Sequence, residues 1–394
     1  MNRRHFLTTT LAGGVAFAAR GADVDRKLRV AVIGHTGHGD YGHGLDVMWL
    51  HVSGVELVAV ADAEAEGLAK AQKKLKLERG FADYRRMLAE VKPDIVAVAP
   101  RHLNEHRDMA LAAIEAGVQG IYIEKPFCRS LAEADEIMAA AEKRKVKIAI
   151  AHRNRYHPAL PVIERMLKDN ALGQVVEIRM RGKEDSRGGA EDLWVLGAHL
   201  LNLAAFFGGA PRACAATLFQ DGHPVTHDDL RDGPEGIGLI AGNGVHARFE
   251  MERGVPVFFD SIAKVGAPPG VFGLQIIGTE GVIDLRLDTE PLAHLLSGSP
   301  FTPVAEPRKW MPISSAGPGE PEPMADIKEQ VASHLLPARD LIAAMREDRP
   351  PLCSAADGRT VVEMITAVFE SHRLNGQRVT FPLAIRDNPL SRLS

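Results

Sequence analysis

The stretch Arg29-Val-Ala-Val-Ile-Gly-His-Thr-Gly-His-Gly39 decides the fold. Val30 to Ile33 are four consecutive apolar β-formers, the pattern of a strand buried on both faces. Gly34, Gly37 and Gly39 follow. Glycine takes positive φ freely and lets a ligand approach the backbone where a Cβ would block it. Leu45 to Leu50 then read as a helix. A strand, a glycine turn and a helix N-terminus form a phosphate site, because free N–H groups and the helix dipole both favour negative charge. The spacing is G-x-x-G-x-G rather than G-x-G-x-x-G, and a tight turn in some other α/β domain would use the same residues. Candidate cofactor contacts here are Gly34, His35, Thr36, Gly37, His38 and Gly39.

Val55 to Asp62 form a second apolar strand ending in an acid. A carboxylate at the tip of the second strand is placed to accept hydrogen bonds from an adenosine ribose and to repel a 2′-phosphate. No arginine closely follows Asp62, so the pattern favours NAD over NADP.

Further out, helical stretches at 63–77, 85–90, 107–116 and 131–143 alternate with apolar strands at 94–99, 120–126 and 146–151. That alternation predicts a parallel sheet covered on both faces, with ligands beyond the carboxyl ends of its strands. Polar groups at those ends are therefore site candidates: Pro100 with His102 and His106, Glu124-Lys125-Pro126, and His152 to Tyr156. The sharpest is Glu124-Lys125-Pro126, a charged pair ending a buried strand. Lys125 suits a substrate hydroxyl that becomes a carbonyl, with Glu124 orienting it and a cis proline turning it into the cleft. A strand-end salt bridge before an ordinary X-Pro turn accounts for the same residues without chemistry.

These pieces resemble the glucose–fructose oxidoreductase, inositol dehydrogenase and rhizopine-catabolism (Gfo/Idh/MocA) family of NAD(P)-dependent oxidoreductases. The likeness rests on Ala31 to Gly34, Val60 to Asp62, Pro100 with His106, Glu115 to Gly117, Ile123 to Pro126 and Asn154-Arg-x-x-Pro158, with Glu363 to Pro382 as the closing helix and strand. It spans about residues 28–382. It implies an N-terminal Rossmann dinucleotide-binding domain over 28–152 and, over 153–385, an α+β substrate domain built on a mostly antiparallel open sheet. It also implies Lys125 beside the nicotinamide and His199 as the second catalytic residue. In the family that histidine stands in an Asp-x-Gly-x-His-x-x-Asp pattern, but here Val195 and Asn202 replace the two acids. Asp192, one short turn earlier, is a candidate substitute.

In the second half, 173–181 alternates as a strand and 191–207 reads as one mostly apolar helix carrying His199. A polar residue in such a run calls for a specific partner, whether substrate or core. Strands are predicted at 245–251, 255–262, 272–277 and 282–286, a long loop over 287–330, and helices over 331–345, kinked by Pro337, and 357–374. Candidate substrate contacts are Arg153, Arg155, Tyr156, Asp192, Trp194 and His199. No metal site is assigned: His223 to Asp229 carries ligand types without a tight motif.

Composition sets outer bounds. The 394 residues suffice for two domains, and 45% apolar with 25% charged residues is ordinary for a globular protein. A net charge of −4 gives no footprint for nucleic acid. Cys128, Cys214 and Cys353 match no metal spacing and read as buried thiols. Residues 1–20 carry Arg3-Arg4, a short apolar run and Ala16-Phe-Ala18, resembling a twin-arginine export signal too short to span a membrane. An exported enzyme would hold its NAD tightly, because free NAD is scarce outside the cytoplasm.

The expectation is therefore a periplasmic or extracellular NAD-dependent oxidoreductase of a carbohydrate, polyol or glycoside, with Lys125 and His199 catalytic. Homo-oligomerisation through the C-terminal sheet is also expected. One alternative is a redox-neutral glycosidase or lyase passing through a transient 3-keto sugar. Another is a carbohydrate-binding protein without turnover.

Overall fold

The computed structural model describes residues 26–265 and 272–393. The export-type segment 1–20 lies outside them. Strands β1 (Leu28–Ile33), β2 (Val55–Ala61), β3 (Gly80–Phe81), β4 (Ile95–Val98), β5 (Gly120–Ile123) and β6 (Lys147–Ile150) form one parallel sheet, in the order β3-β2-β1-β4-β5-β6. Side chains alternate across a strand, so β1 feeds two cores. Ala31 and Ile33 pack with helices α2 (Tyr84–Val91), α3 (Leu103–Glu115) and α4 (Leu131–Arg144). Val30 and Val32 pack on the other face with Met48, Trp49 and Leu341. The sheet order reverses between β1 and β4, which opens a crevice at their carboxyl ends.

The helix expected after the glycine turn is not a regular α-helix. Asp40, Gly42 and Gly44 all take positive φ, and only a 3₁₀ turn, Val47–His51, forms. The chain regains regular helix at α1 (Ala65–Leu75), after β2.

A second sheet carries the rest. Its strands are β7 (Val175–Arg181), β8 (Pro211–Gln220), β9 (His223–Pro224), β12 (Gly244–Met251), β13 (Pro256–Ile262), β14 (Gly273–Gly278), β15 (Gly281–Arg286), β16 (Ala293–Ser297), β17 (Met311–Ile313) and β18 (Val379–Thr380). The order is β17-β16-β15-β14-β7-β13-β12-β8-β18, antiparallel except for β7 with β13, and β9 pairs on β8. A short separate pair joins β10 (Arg231–Asp232) and β11 (Leu239–Ile240). Two of these strands, β16 and β17, lie within the predicted long loop. Pro312 is tolerated there because β17 is the sheet edge, where a missing N–H breaks no ladder.

Helix α5 (Ala159–Lys168) precedes β7. The single helix expected over 191–207 is two, α6 (Ala190–Val195) and α7 (Gly197–Gly208). A Cβ on Gly197 would stand 2.9 Å from the Phe259 ring, so the chain bends where backbone and sheet meet. Likewise α8 (Ile327–Ala332) and α9 (Leu335–Glu347) are separate, and Pro337 sits in the first turn of α9, where its missing N–H costs nothing. A Ser354–Asp357 capping box opens α10 (Ala355–Arg373). Close approach of Gly358 to Phe127 and Ile150 brings α10 onto the first sheet. Among the described residues, no helix is long and apolar enough to cross a membrane.

Candidate active site

Strand β5 ends in Glu124-Lys125-Pro126, with the Lys125–Pro126 peptide cis. The Glu124 side chain is fully buried. Its Oε1 accepts the ring Nδ1–H of His43 at 2.5 Å and the His43 backbone N–H at 3.2 Å, and Oε2 accepts the Lys125 backbone N–H at 2.6 Å. Burial pushes the carboxyl pKa up, but the His43 hydrogen bond and the Lys125 charge outweigh it and hold the group well below the usual carboxylate range. Lys125 is 5% exposed, and its ammonium donates to the carbonyl oxygen of Val195 at 3.1 Å. Position 195, which lacks the family's acid, thus holds the lysine through its backbone at the α6–α7 bend.

His199, on α7, faces His152 at the end of β6: their Nδ1 atoms are 3.4 Å apart and the rings meet edge to face. Burial, then the Lys125 charge, pushes His152 down to about 3. Burial, then His152 and Lys125, pushes His199 well below the ordinary histidine value. Both rings are therefore neutral near neutrality, and His152 Nε2 is buried with no partner. Lys125, His152 and His199 form one cluster at the carboxyl ends of β5 and β6. Arg153 lies near enough to lower His199 further, and its guanidinium pairs with Asp288 at 2.5 Å.

The other predicted substrate contacts are placed differently. Tyr156 is buried and donates its hydroxyl to the Cys353 carbonyl at 3.4 Å, while Arg155 lies over the Phe206 ring at 3.7 Å. Trp194 is packed in the core, 2% exposed, with its Nε1 unpartnered. Asp192 does not replace the missing acids: its Oδ2 accepts Ser261 Oγ–H at 2.6 Å and the Glu184 N–H at 3.1 Å, tying the 182–189 segment to β13. Asn202 turns its amide to the Cys353 sulfur at 3.4 Å.

On the cofactor side, Asp62 is 1% exposed. It accepts the Thr36 hydroxyl at 2.6 Å, the Tyr41 hydroxyl at 2.8 Å, the Glu64 N–H at 3.0 Å and the Thr36 N–H at 3.1 Å. Burial raises its pKa, and these bonds bring it below the ordinary value. The Tyr41 ring lies directly on Gly34, where a Cβ would come within 2.2 Å of it. A carboxylate has about four lone-pair positions. All are filled from within the chain, so a ribose hydroxyl reaches Asp62 only by displacing a protein donor. Beside it, a cavity of about 290 Å³ is lined by Gly34, His35, Asp62, Tyr84, Asn104 and Glu105. Its position between the β1–β2 ends and α3, with an acid at its floor, fits the adenosine half of NAD.

His102 caps α3 from outside and meets His38 edge to face. His106 is not on the crevice: it is fully buried, and its Nε2 and Nδ1 lie 2.7 and 3.1 Å from the Pro100 and Phe127 carbonyl oxygens, between the β4 and β5 loops. A ring N–H donates to one of them.

Several residues escaped the sequence reading. Gly37-His-Gly39-Asp-Tyr-Gly42 does carry the G-x-G-x-x-G spacing, displaced three residues from the strand end. Close approach is real at Gly42, whose added Cβ would meet the Ala99 carbonyl oxygen at 2.6 Å. His43 had no local signal, since its partner Glu124 is 81 residues away. The buried Tyr122–His334 bond, 2.6 Å between β5 and the start of α9, is equally nonlocal. His152 was visible only as the first residue of a polar segment.

Residues 28–152 match the oxidoreductase family with an NAD-binding Rossmann fold, Gfo/Idh/MocA. The chain is 33% identical over 340 residues to D-apiose dehydrogenase of Paraburkholderia graminis, covering 82% of this chain and 83% of that one. In fold it is similar to levoglucosan dehydrogenase in complex with NADH and levoglucosan, with a TM-score of 0.71 at 20% identity over 91% of this chain and all of that one. The WlbA dehydrogenase of Bordetella pertussis, solved with NADH and UDP-GlcNAcA, superposes with a TM-score of 0.64 at 18% identity, over 91% of this chain and 100% of that one. With a Rossmann sheet, a larger mostly antiparallel sheet and Lys125 at the end of β5, the chain belongs to the Gfo/Idh/MocA family of NAD(P)-dependent oxidoreductases.

Proposed function

We propose that this enzyme oxidises a secondary hydroxyl of a sugar, polyol or glycoside. The observation that carries the reading is the cluster of one buried ammonium and two neutral imidazoles at the carboxyl edge of the NAD-binding sheet. NAD, when bound, supplies the hydride acceptor. Lys125 has three N–H donors and gives one to Val195, so two remain to hold the substrate oxygen and stabilise the charge it gains as the C–H bond breaks. The hydroxyl proton passes to the neutral His199 ring, with His152 at 3.4 Å to steady it. The substrate thus loses one hydride and one proton and becomes a carbonyl compound. The names of the D-apiose and levoglucosan dehydrogenases support a carbohydrate substrate.

The paired histidines also favour a second reading. Two neutral bases at one site can take a hydroxyl proton and then the acidified neighbouring C–H proton. With a proton given to the departing oxygen and the hydride returned to the substrate carbonyl, a lyase or glycosidase reaction then leaves no net oxidation. A panel of sugars and glycosides, followed by NADH absorbance and product mass, separates the two. Net NADH formation marks a dehydrogenase, and cleavage without NADH marks the lyase. Failure of every substrate to change either signal, with NAD bound, would leave a carbohydrate-binding protein. His199→Ala should slow turnover about 10²- to 10⁴-fold.

Export by the twin-arginine route and pairing through the open sheet face belong to the same proposal. On that face Arg179, Arg181, Asp260, Asp284 and Arg286 line a shallow cavity of about 270 Å³, a charge set suited to a second copy. Light scattering of the purified chain tests the pairing, and a monomer would overturn it.

A further inference from the structure

We infer that the turn after β1 and the first turn of α3 form a binding site for one divalent transition-metal ion of the zinc class, ligated by His35, His38 and Glu105. One ligand atom from each of the three residues lies within 4.8 Å of the other two. His35 Nδ1 is 2.7 Å from Glu105 Oε1, and the His35 and His38 rings stack at 4.3 Å. In a tetrahedral zinc site, ligands about 2.0–2.1 Å from the ion sit about 3.3 Å apart. The closest pair must therefore open by about 0.6 Å, and no pair need close by more than about 1.5 Å, within reach of side-chain rotation on a glycine-flanked turn.

Two further observations point to a ligand. Glu105 Oε2 is buried without a hydrogen-bond partner although its sister oxygen is paired, an arrangement that costs free energy unless something occupies it. A third imidazole, His102, meets His38 edge to face at 5.0 Å, so a further ring flanks the three ligand residues. Imidazole and carboxylate together suit zinc, cobalt and nickel better than magnesium or calcium.

The backbone is built to present these groups. His35 and Asp40 form an isolated bridge, and Gly37 and Gly39 take φ of +83° and +84°, folding His38 back over His35. Asp62 fixes the turn through Thr36, while Glu105 comes from a helix anchored in the core. Three protein ligands leave at least one position open. His35 and Glu105 line the cavity beside Asp62, from which water or a phosphate oxygen could complete the shell. That cavity also fits the adenosine half of NAD, so the ion and the nucleotide would share that wall of the crevice, and the titration is therefore run without nucleotide.

The test uses the full chain stripped with chelator and titrated with cobalt(II) alone, read by visible d–d absorption and calorimetry. One equivalent should bind with an intense band of low-coordinate cobalt. His38→Ala and Glu105→Gln should each weaken binding at least tenfold and abolish the band. His38 is exposed, so its loss leaves the core intact, and circular dichroism checks this. The inference is overturned if the stripped protein takes up no cobalt, or if both variants bind as the parent does. It is overturned equally if uptake disappears with His223→Ala and His227→Ala instead, which would place the ion on the exposed β9 turn.

Discussion

Replacing Glu124 by glutamine tests the electrostatics that hold Lys125 in place. The carboxylate accepts N–H groups on both oxygens, two from His43 on one and one from Lys125 on the other. An amide keeps only one acceptor oxygen, so its NH₂ must face a donor, and the buried Lys125 ammonium loses an adjacent anion. Removing one partner of a buried charged pair costs about 3–5 kcal/mol. His43 is 44% exposed, which lets water soften the loss, so the lower end, about 3 kcal/mol, is expected at pH 7. The sign with pH follows from the depressed folded value. Above the free value of 4.5 the Glu124 contribution is fully present, and it is lost as pH falls through the folded value. Urea unfolding at pH 7 should therefore show E124Q less stable, with the gap narrowing below pH 4.5. Equal midpoints at pH 7, or a gap that does not change with pH, would refute a charged, paired Glu124.

Three other outcomes follow from the same structure. His152 and His334 are pushed down to about 3 and about 4, chiefly by burial. Below the free value of 6.5 the unfolded chain binds protons that the folded chain refuses. Stability should thus fall as pH drops from 6.5, and His334→Gln should make that fall shallower in urea titrations; an unchanged slope would count against a neutral, buried His334. Gly42→Ala places a Cβ 2.6 Å from the Ala99 carbonyl at a φ of +58°, and should cost about 2–4 kcal/mol by thermal unfolding. Arg3 and Arg4 changed to lysine should leave the precursor in the cytoplasm on fractionation, whereas normal export would remove the twin-arginine reading.

Much of the fold was legible because its signals are local. Apolar runs such as Val30–Ile33 and Ile95–Val98 need no partner to be recognised as buried strands, and the alternation with helices then dictates a parallel sheet. Lys125 stood out for the same reason, a charge ending such a run. Where contacts are distant the signal vanished. Nothing near Val195 announces that its carbonyl will hold Lys125, 70 residues away. Asp192 looked free to assist His199 because Ser261, which claims it, lies 69 residues on. The short helix after the glycine turn was misjudged because Leu45–Leu50 has helical composition, while Gly42 and Gly44 just before it take φ values that end regular helix.

The most direct test of the central claim is hydride transfer by Lys125→Met, measured in a single turnover with saturating NAD and a substrate found in the sugar panel. Methionine preserves the unbranched stem and removes only the ammonium, so the nucleotide should still bind. The expected result is NADH formation slowed by about 10²- to 10⁴-fold with NAD affinity within a few fold of the parent. Transfer at the parental rate would show that Lys125 does not serve the reacting oxygen and contradict the site proposed here.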